Sequence, residues 1–316
     1  MPRVSIVIPT YNRANLLAET LESVFSQTYT DYEVIIVDDG STDKTGETVD
    51  GFIKRFPGKI VYTAQENQGA ARTLNNGIRK ARGEYAALLD SDDIWLPHKL
   101  ERCMDFLDTH GFDWVTSAVI RREEHNARGD SGVHTEVRRV PREFLDERGI
   151  EIHQLRNGLY FFSSVLIIPS GVVIKKGAFD TVGLFGTDMR ISYDTDMWLR
   201  FEEHGLRGGY IDEPLFIYRL NLSSMTKQKT TIVLKDHIYL VDKHARILGK
   251  DNPVIRKTHS DFLWRLSDLF FAAGAPGMSL KCYLKAWYLY PEWRKVHKTL
   301  EIVLKIMRKG ANYGDE

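Results

Sequence analysis

The sequence predicts an α/β protein with a mainly parallel sheet and a helical C-terminal extension. Residues 4–8 are apolar except for Ser5, and residues 34–37 are all apolar, as strands are when both faces of a parallel sheet are covered. Residues 16–25 and 45–53 repeat apolar side chains at helical spacing. This alternation of buried strands and amphipathic helices favours a sheet with helices on both faces.

The first 95 residues follow the order β-α-β-α-β-α-β, and a further helix comes next. Pro9 ends the first strand, and Ser41 or Thr42 can cap the helix after the second strand. The predicted strands cover residues 4–8, 33–38, 59–63 and 84–89. The predicted helices cover residues 16–25, 45–53, 69–82 and 96–107.

The pattern is less regular between residues 121 and 220. Residues 121–156 are polar, which predicts a hairpin or a mobile loop over the sheet. Further strands are predicted at residues 165–168, 172–174, 210–211 and 215–218, with a helix at residues 195–204. Beyond residue 221 the chain reads as helical and is rich in aromatic residues.

Composition excludes several classes of protein. Hydrophobic residues make up 43% of the chain and charged residues 27%, which argues against a disordered or collagen-like protein. Cys103 and Cys282 lie far apart, so neither a disulfide framework nor a thiolate metal site is expected, and a cytoplasmic location fits best. No apolar stretch reaches the ~18 residues that a membrane-spanning helix needs.

The charge is balanced overall but not along the chain. Lys plus Arg and Asp plus Glu each number 43, so no nucleic-acid partner is expected. Residues 221–316 contain 17 basic and 9 acidic residues, a balance of +8, and residues 1–220 carry −8. An acidic N-terminal part that suits a metal site therefore precedes a basic part that suits an anionic surface.

Polar segments follow three of the predicted strands, at residues 10–12, 38–39 and 90–93. Ligands of parallel sheets bind beyond the carboxyl ends of the strands, so these segments are expected to converge. Asp90, Asp92 and Asp93 would repel one another unless a cation compensates, and carboxylates suit Mg²⁺ or Mn²⁺. The alternative is that these carboxylates cap the following helix.

Two other residues near these strand ends could contact a nucleotide. Asp39 could bind a base or a ribose, although Asp-Gly after a strand is also a common turn. Arg72 could meet a base or a diphosphate, or could be an ordinary surface arginine.

Several segments, in this order, resemble family 2 glycosyltransferases of the GT-A fold, a Rossmann-like mixed sheet. The resemblance covers most of residues 1–220 and rests on residues 4–13, 26–28, 37–43, 75–78, 83–93, 169–171, 182–185, 193–200 and 213–219. It implies a nucleotide-binding half at 1–95, an acceptor-binding half at 96–220 and a separate helical extension at 221–316.

The resemblance also implies a reaction, the transfer of a sugar from a nucleoside diphosphate, with UDP as the expected nucleotide and inversion at the anomeric carbon. Asp194 matches the general base. Asp90 and Asp92 match the metal-binding pair for Mn²⁺ or Mg²⁺, and Asp93 could share that role. The expected donor site comprises Pro9, Thr10, Tyr11, Asp39, Arg72, Asp90 and Ser91.

The acceptor is expected to be a glycan or a lipid-linked glycan of a bacterial surface pathway. Its expected contacts are Trp95, Ser170, Gly171, Tyr193, Asp196 and Trp198. Asp194 has an alternative interpretation as the N-cap of its helix. A sugar nucleotidyltransferase and a glycan-binding pseudoenzyme are the rival functions, and the first would need a Gly-rich phosphate loop that residues 9–13 do not supply.

Three residues depart from the family's pattern. Tyr193 stands where the family often has Glu, and Leu74 stands where many members have Arg, which makes Arg72 the candidate replacement. Asn221 stands where many relatives have a His near the metal, so the third metal contact is in doubt.

A basic amphipathic pattern covers residues 294–309. Such a helix can lie on anionic lipid, so we hypothesise peripheral attachment to the cytoplasmic face of the membrane. A helix docked on its own domain with a solvated basic face explains the pattern equally well.

Overall fold

The computed structural model describes residues 1–123, 133–152, 167–220, 230–244 and 252–291. These residues form two compact units. The first takes in the described residues up to Leu220, and the second takes in those from Thr230 onward.

The first unit is built on a mixed sheet with flanking helices. Its strands are β1 (Val4–Thr10), β2 (Tyr32–Asp38), β3 (Ile60–Ala64), β4 (Tyr85–Leu88), β5 (Ile94–Trp95), β6 (Trp114–Glu123), β7 (His134–Arg138), β8 (Glu151–Ile152), β9 (Val173–Lys175) and β10 (Gly208–Leu220). Its helices are α1 (Ala14–Phe25), α2 (Thr45–Arg55), α3 (Ala70–Lys80), α4 (Lys99–His110), α5 (Gly177–Val182) and α6 (Tyr193–Glu203).

The strand order is β3-β2-β1-β4-β9-β6-β10-β5, with β7 on β6 and β8 on β10. The first four strands of this order are parallel, as predicted. Every residue of β1 and β2 is buried, which explains their continuous apolar pattern. The antiparallel pairing of β9 with β4 and β6 makes the sheet mixed.

The structure corrects three predicted elements. Residues 210–211 and 215–218 are parts of one strand, β10, whose register shifts around Pro214 interrupt the apolar pattern. The helix predicted from residue 96 begins at Lys99, because residues 94–95 pair with β10 as β5. Ile167 and Ile168 precede a 3₁₀ turn at Pro169–Gly171 and are not in a strand, while residues 165–166 lie outside the described part.

The polar segment 121–156 contains a hairpin, which is one of its two predicted forms. Strand β6 runs to Glu123, and β7 returns antiparallel to it from His134. Residues 124–132, between these strands, lie outside the described part of the chain.

The second unit consists of helices α7 (Thr230–Lys243), α8 (Pro253–Ala272) and α9 (Pro276–Leu289). Ser260 and Ser267 of α8 donate buried hydrogen bonds to carbonyl groups of α9, which keeps the two helices close. None of the described helices is both long and apolar enough to cross a membrane. The predicted basic helix at residues 294–309 lies outside the described residues.

Candidate active site

The ends of β1, β2 and β4 bring the polar segments of the sequence together. Thr10 is the register partner of Asp38, and the Asp39 N–H donates to the Thr10 carbonyl over 2.8 Å. Strand β4 lies on the other side of β1 and leads directly to Asp90. The predicted convergence of these segments is therefore confirmed for the two sides of β1.

Asp39 organises the loop that precedes α3. Its Oδ1 accepts hydrogen bonds from the Gln65 side chain and the Gln68 N–H, and its Oδ2 accepts one from the Gly69 N–H, all at 2.8 Å. A carboxylate has about four lone-pair positions, so one acceptor position remains for a ligand N–H. Asp39 can therefore hold the loop and still bind a nucleotide base.

The other predicted donor residues lie around this carboxylate. Pro9 and Thr10 are buried at the end of β1, and Tyr11 beyond them is 46% exposed. The Thr10 hydroxyl is buried and has no hydrogen-bond partner among the described residues. Arg72 is exposed in the first turn of α3, three residues after Gly69. The exposed guanidinium of Arg72 is accessible to a ligand, whereas the Thr10 hydroxyl is enclosed in the protein.

Asp90 and Asp92 are the carboxylates of the 90–93 loop that remain partly exposed. Burial raises the pKa of Asp90, and the charges of Asp92 and Asp194 raise it further. Asp92 has a cation nearby, since Arg13 Nε lies 3.6 Å from its Oδ2. The carboxylates of Asp90, Asp92 and Asp194 therefore lie near one another, and a positive charge among them would reduce their mutual repulsion.

Asp93 differs from its two neighbours, and its predicted share in metal binding does not fit the structure. It is 0% exposed. Its Oδ2 accepts a hydrogen bond from the Ser170 hydroxyl at 2.5 Å, and its Oδ1 accepts one from the Arg219 N–H at 3.0 Å. Both oxygens are thus used inside the protein, and the side chain cannot reach a ligand in this conformation.

The donor set of the 90–93 loop fits a hard divalent cation. Asp90 and Asp92 offer two carboxylates, and Mg²⁺ typically takes one or two of these together with phosphate oxygens of the substrate. Among the described residues, no group of three or more acidic, His or Cys side chains forms a complete protein cage for a metal. A site completed by the substrate fits this arrangement.

Asp194 lies in the first turn of α6 and is partly exposed. The N-cap of α6 is Ser192, so the alternative interpretation of Asp194 as N-cap is wrong. Its Oδ1 accepts a hydrogen bond from the Thr195 N–H at 2.7 Å. Burial raises the pKa of Asp194 to about 6, so the group is ionised at neutral pH and is a stronger base than a solvated aspartate.

Two predicted acceptor contacts are tryptophans that belong to the core. Trp95 is 2% exposed and Trp198 is 1% exposed. Their indole N–H groups donate to the carbonyls of Ser170 and Ile167, respectively. The expectation that these residues contact the acceptor is wrong for this conformation, because neither ring presents a face to solvent.

The remaining predicted acceptor contacts also lie inside the protein. Asp196 is 0% exposed and pairs with Arg200 at 2.9 Å, so it does not face an acceptor. Ser170 and Gly171 are buried in the 3₁₀ turn behind the 90–93 loop. Tyr193 is 8% exposed, and the charges of Asp90 and Asp194 act on its phenol. Of this set, Tyr193 is close enough to Asp90 and Asp194 for their charges to act on it, and Ser170 bonds the Asp93 carboxylate.

Sequence reasoning missed the role of Arg219. This arginine is 3% exposed, and its side chain donates to the Asp92 carbonyl and to Glu19 of α1. The available signal was an arginine after an apolar strand, Leu215 to Tyr218, within a segment noted only as part of a motif.

Comparison with known proteins decides the family. Residues 5–183 match the sequence profile described as Glycosyl transferase family 2. The chain belongs to this family. The family resemblance that the sequence motifs carry is thereby confirmed.

Curated relatives of this family 2 enzyme come from several bacteria. The chain is 31% identical to glycosyltransferase GlyG of Streptococcus pneumoniae over 229 residues, which cover 71% of this chain and 73% of GlyG. It is 29% identical to the putative glycosyltransferase EpsE of Bacillus subtilis, over 78% of this chain and 83% of EpsE. An uncharacterized glycosyltransferase of Rickettsia typhi is 34% identical over 63% of this chain, which spans 58% of that relative's length.

Solved structures share the fold of this family 2 enzyme. S. aureus TarS 1–349 in complex with UDP-GlcNAc superposes with a TM-score of 0.62 at 17% identity, covering 92% of this chain and 89% of TarS 1–349. The mannosyltransferase PcManGT of Pyrobaculum calidifontis, in complex with GDP-Man and Mn²⁺, superposes with a TM-score of 0.61 at 19% identity. That match covers 100% of this chain and 88% of the PcManGT chain. The GT-A fold with C-terminal helices is thereby confirmed.

Proposed function

We propose that this glycosyltransferase moves a sugar from a UDP-sugar to a hydroxyl of a glycan or lipid-linked glycan, in one displacement with inversion. Residues 1–220 would carry the reaction. The observation that carries the proposal is the position of Asp194, whose charge acts on Asp90 of the 90–93 loop. A base and a metal-binding carboxylate close to each other are what this reaction requires.

Each proposed role has a physical basis in the chain. Asp39 keeps an acceptor position for the N–H of a base such as uracil. Asp90 and Asp92 would hold Mn²⁺ or Mg²⁺, which would neutralise the charge that develops on the departing diphosphate. Asp194 would accept the proton of the acceptor hydroxyl. Meanwhile the acceptor oxygen bonds to the anomeric carbon, and the bond from that carbon to the phosphate oxygen breaks.

The choice of UDP draws on relatives as well as on the site. TarS 1–349 was crystallised with UDP-GlcNAc, which favours a UDP-sugar, whereas PcManGT was crystallised with GDP-Man. Incubation with UDP-GlcNAc, UDP-Glc, UDP-Gal and GDP-Man, each with and without Mn²⁺, distinguishes these donors. Metal-dependent release of UDP is the expected result. Release of GDP alone would contradict the donor assignment. Formation of UTP from a UDP-sugar and added pyrophosphate would indicate a nucleotidyltransferase.

We also propose peripheral attachment to the cytoplasmic face of a membrane through the basic C-terminal part. The support is its charge of +8 over residues 221–316, which would be attracted to anionic lipid. Flotation with phosphatidylglycerol vesicles tests this, with phosphatidylcholine vesicles as the control. Deletion of residues 294–316 should abolish flotation, and unchanged flotation would contradict the proposal.

A further inference from the structure

A buried network, here called the clasp, lies behind the 90–93 loop. It consists of Thr20 in α1, Asp93 in the loop, Ser170 in the 3₁₀ turn and Arg219 in β10. Each of these four residues is at most 3% exposed. Buried polar groups in proteins nearly always form hydrogen bonds, so the hydrogen bonds of the clasp define its geometry.

Asp93 fixes Asp90 through the hydroxyl of Ser170. This hydroxyl accepts a hydrogen bond from the Asp90 N–H at 3.0 Å and lies 2.5 Å from Asp93 Oδ2. The position of the Asp90 backbone therefore depends on a side chain three residues later in the same loop.

Arg219 fixes the middle of the loop. Its backbone N–H donates to Asp93 Oδ1 at 3.0 Å, and its Nε donates to the carbonyl of Asp92. Nη1 pairs with Glu19 at 2.9 Å, and Nη2 donates to the Leu16 carbonyl at 3.1 Å. The guanidinium thus joins the loop to helix α1.

Thr20 completes the contacts along the loop. Its hydroxyl lies 3.1 Å from the Ser91 carbonyl and 2.8 Å from the Asp93 carbonyl. Every residue from Asp90 to Asp93 therefore has a main-chain group in contact with the clasp. The carboxylates of Asp90 and Asp92 are not used in any of these contacts.

We propose that Asp93, Ser170 and Arg219 are positioning residues that set the separation of the Asp90 and Asp92 carboxylates for a divalent cation. This rests on the proposed function, because it takes these two carboxylates as the metal site. Two carboxylates that repel each other move apart unless their backbones are held. The clasp holds the backbones and does not use the carboxylate oxygens of Asp90 and Asp92.

The test measures Mn²⁺ binding directly, by the loss of the free Mn²⁺ signal in electron paramagnetic resonance, with UDP present. Asp93→Ala and Ser170→Ala should each weaken Mn²⁺ binding at least tenfold. Asp93→Asn should stay within about threefold of the wild type, because an amide can accept from the Arg219 N–H and donate to the Ser170 oxygen. If Asp93 were a metal ligand, Asp93→Asn would weaken binding strongly and Ser170→Ala would not.

Glu33→Ala is the matched control. Glu33 is 3% exposed and, like Asp93, accepts from a serine hydroxyl and from an arginine, but it is in β2 and bonds Ser5 and Arg82. The Glu33→Ala substitution should lower the thermal midpoint of unfolding and leave Mn²⁺ binding unchanged. The proposal fails if Ser170→Ala, the variant least expected to unfold, binds Mn²⁺ as tightly as the wild type.

The failure of the clasp differs from the failure of the proposed function. If Asp92→Asn left Mn²⁺ binding unchanged, the metal site assumed in the proposed function would be wrong, and the clasp proposal would fall with it. If Asp92→Asn weakened binding and Ser170→Ala did not, the clasp proposal alone would be overturned.

Discussion

The side-chain amide of Asn75 forms two hydrogen bonds with the backbone of Phe185, one in each direction and both 2.9 Å long. Both residues are buried, at 4% and 3% exposure. Asn75 belongs to α3, and Phe185 lies in the connection that leads to α6 and Asp194. The amide therefore ties a helix of the predicted nucleotide-binding half to the segment that carries the proposed base.

Replacement of Asn75 by Asp should be strongly destabilising. A carboxylate can accept from the Phe185 N–H but cannot donate to the Phe185 carbonyl, which leaves that oxygen buried without a partner. We expect the free energy of unfolding to fall by about 2–3 kcal/mol, measured by urea denaturation. Asn76→Asp, at a half-buried position bonded to Gln65, is the control and should cost less. Equal losses would argue against the buried amide pair.

Asp194→Asn should abolish sugar transfer, because an amide cannot accept the acceptor proton at neutral pH. The side chain keeps its size and its bond to the Thr195 N–H. Binding of UDP, measured by calorimetry, should therefore stay within about twofold of the wild type. Turnover close to that of the wild type would remove Asp194 from the role of base.

Gly83→Ala should lower stability because the added methyl has no room. Its Cβ would lie 2.7 Å from the Ser5 nitrogen and 2.8 Å from the Val4 carbonyl carbon, and these are backbone atoms of the central strand. We expect a loss of about 1–3 kcal/mol in unfolding free energy. Gly51→Ala in α2 is the matched control, since its Cβ meets nothing within 4 Å. That change should raise stability by about 0.5–1 kcal/mol. A loss in both variants would contradict this explanation.

The second unit should lose stability in mild acid. Burial lowers the pKa of His259 in α8 to about 4. The positive charge of Lys285 lowers this pKa further, and the negative charge of Asp242 only partly opposes the change. In the unfolded chain this histidine has a pKa near 6.5, so between pH 6.5 and 4 it is protonated in the unfolded state and mostly neutral in the folded state. The free energy of unfolding therefore falls as the pH drops from about 6.5 toward 4. We expect a loss of about 1–3 kcal/mol, seen as a lower thermal midpoint at pH 5 than at pH 7. His259→Gln should reduce this difference, and an unchanged difference would contradict the assignment to His259.

The sequence predicted the strands and helices of the nucleotide-binding half well because their apolar patterns are regular. The sequence predicts two strands in place of β10, because the residues around Pro214 interrupt the apolar pattern and sequence periodicity cannot detect pairing through a bulge. Trp95, Trp198 and Asp196 were assigned to an acceptor site because they stand beside the motif residues. Proximity in sequence does not specify which side of a strand or helix faces the cleft.

The sequence by itself determined the fold class, the family and the convergence of polar loops at the strand ends, because these follow from local patterns and short motifs. Only the tertiary structure separated Asp93 from Asp90 and Asp92, which look equivalent in the sequence. Asp93 bonds Ser170 and Arg219, its partners 77 and 126 residues away, and is fully buried. Contacts between distant segments decide which of the three carboxylates stay partly exposed and which one holds the loop.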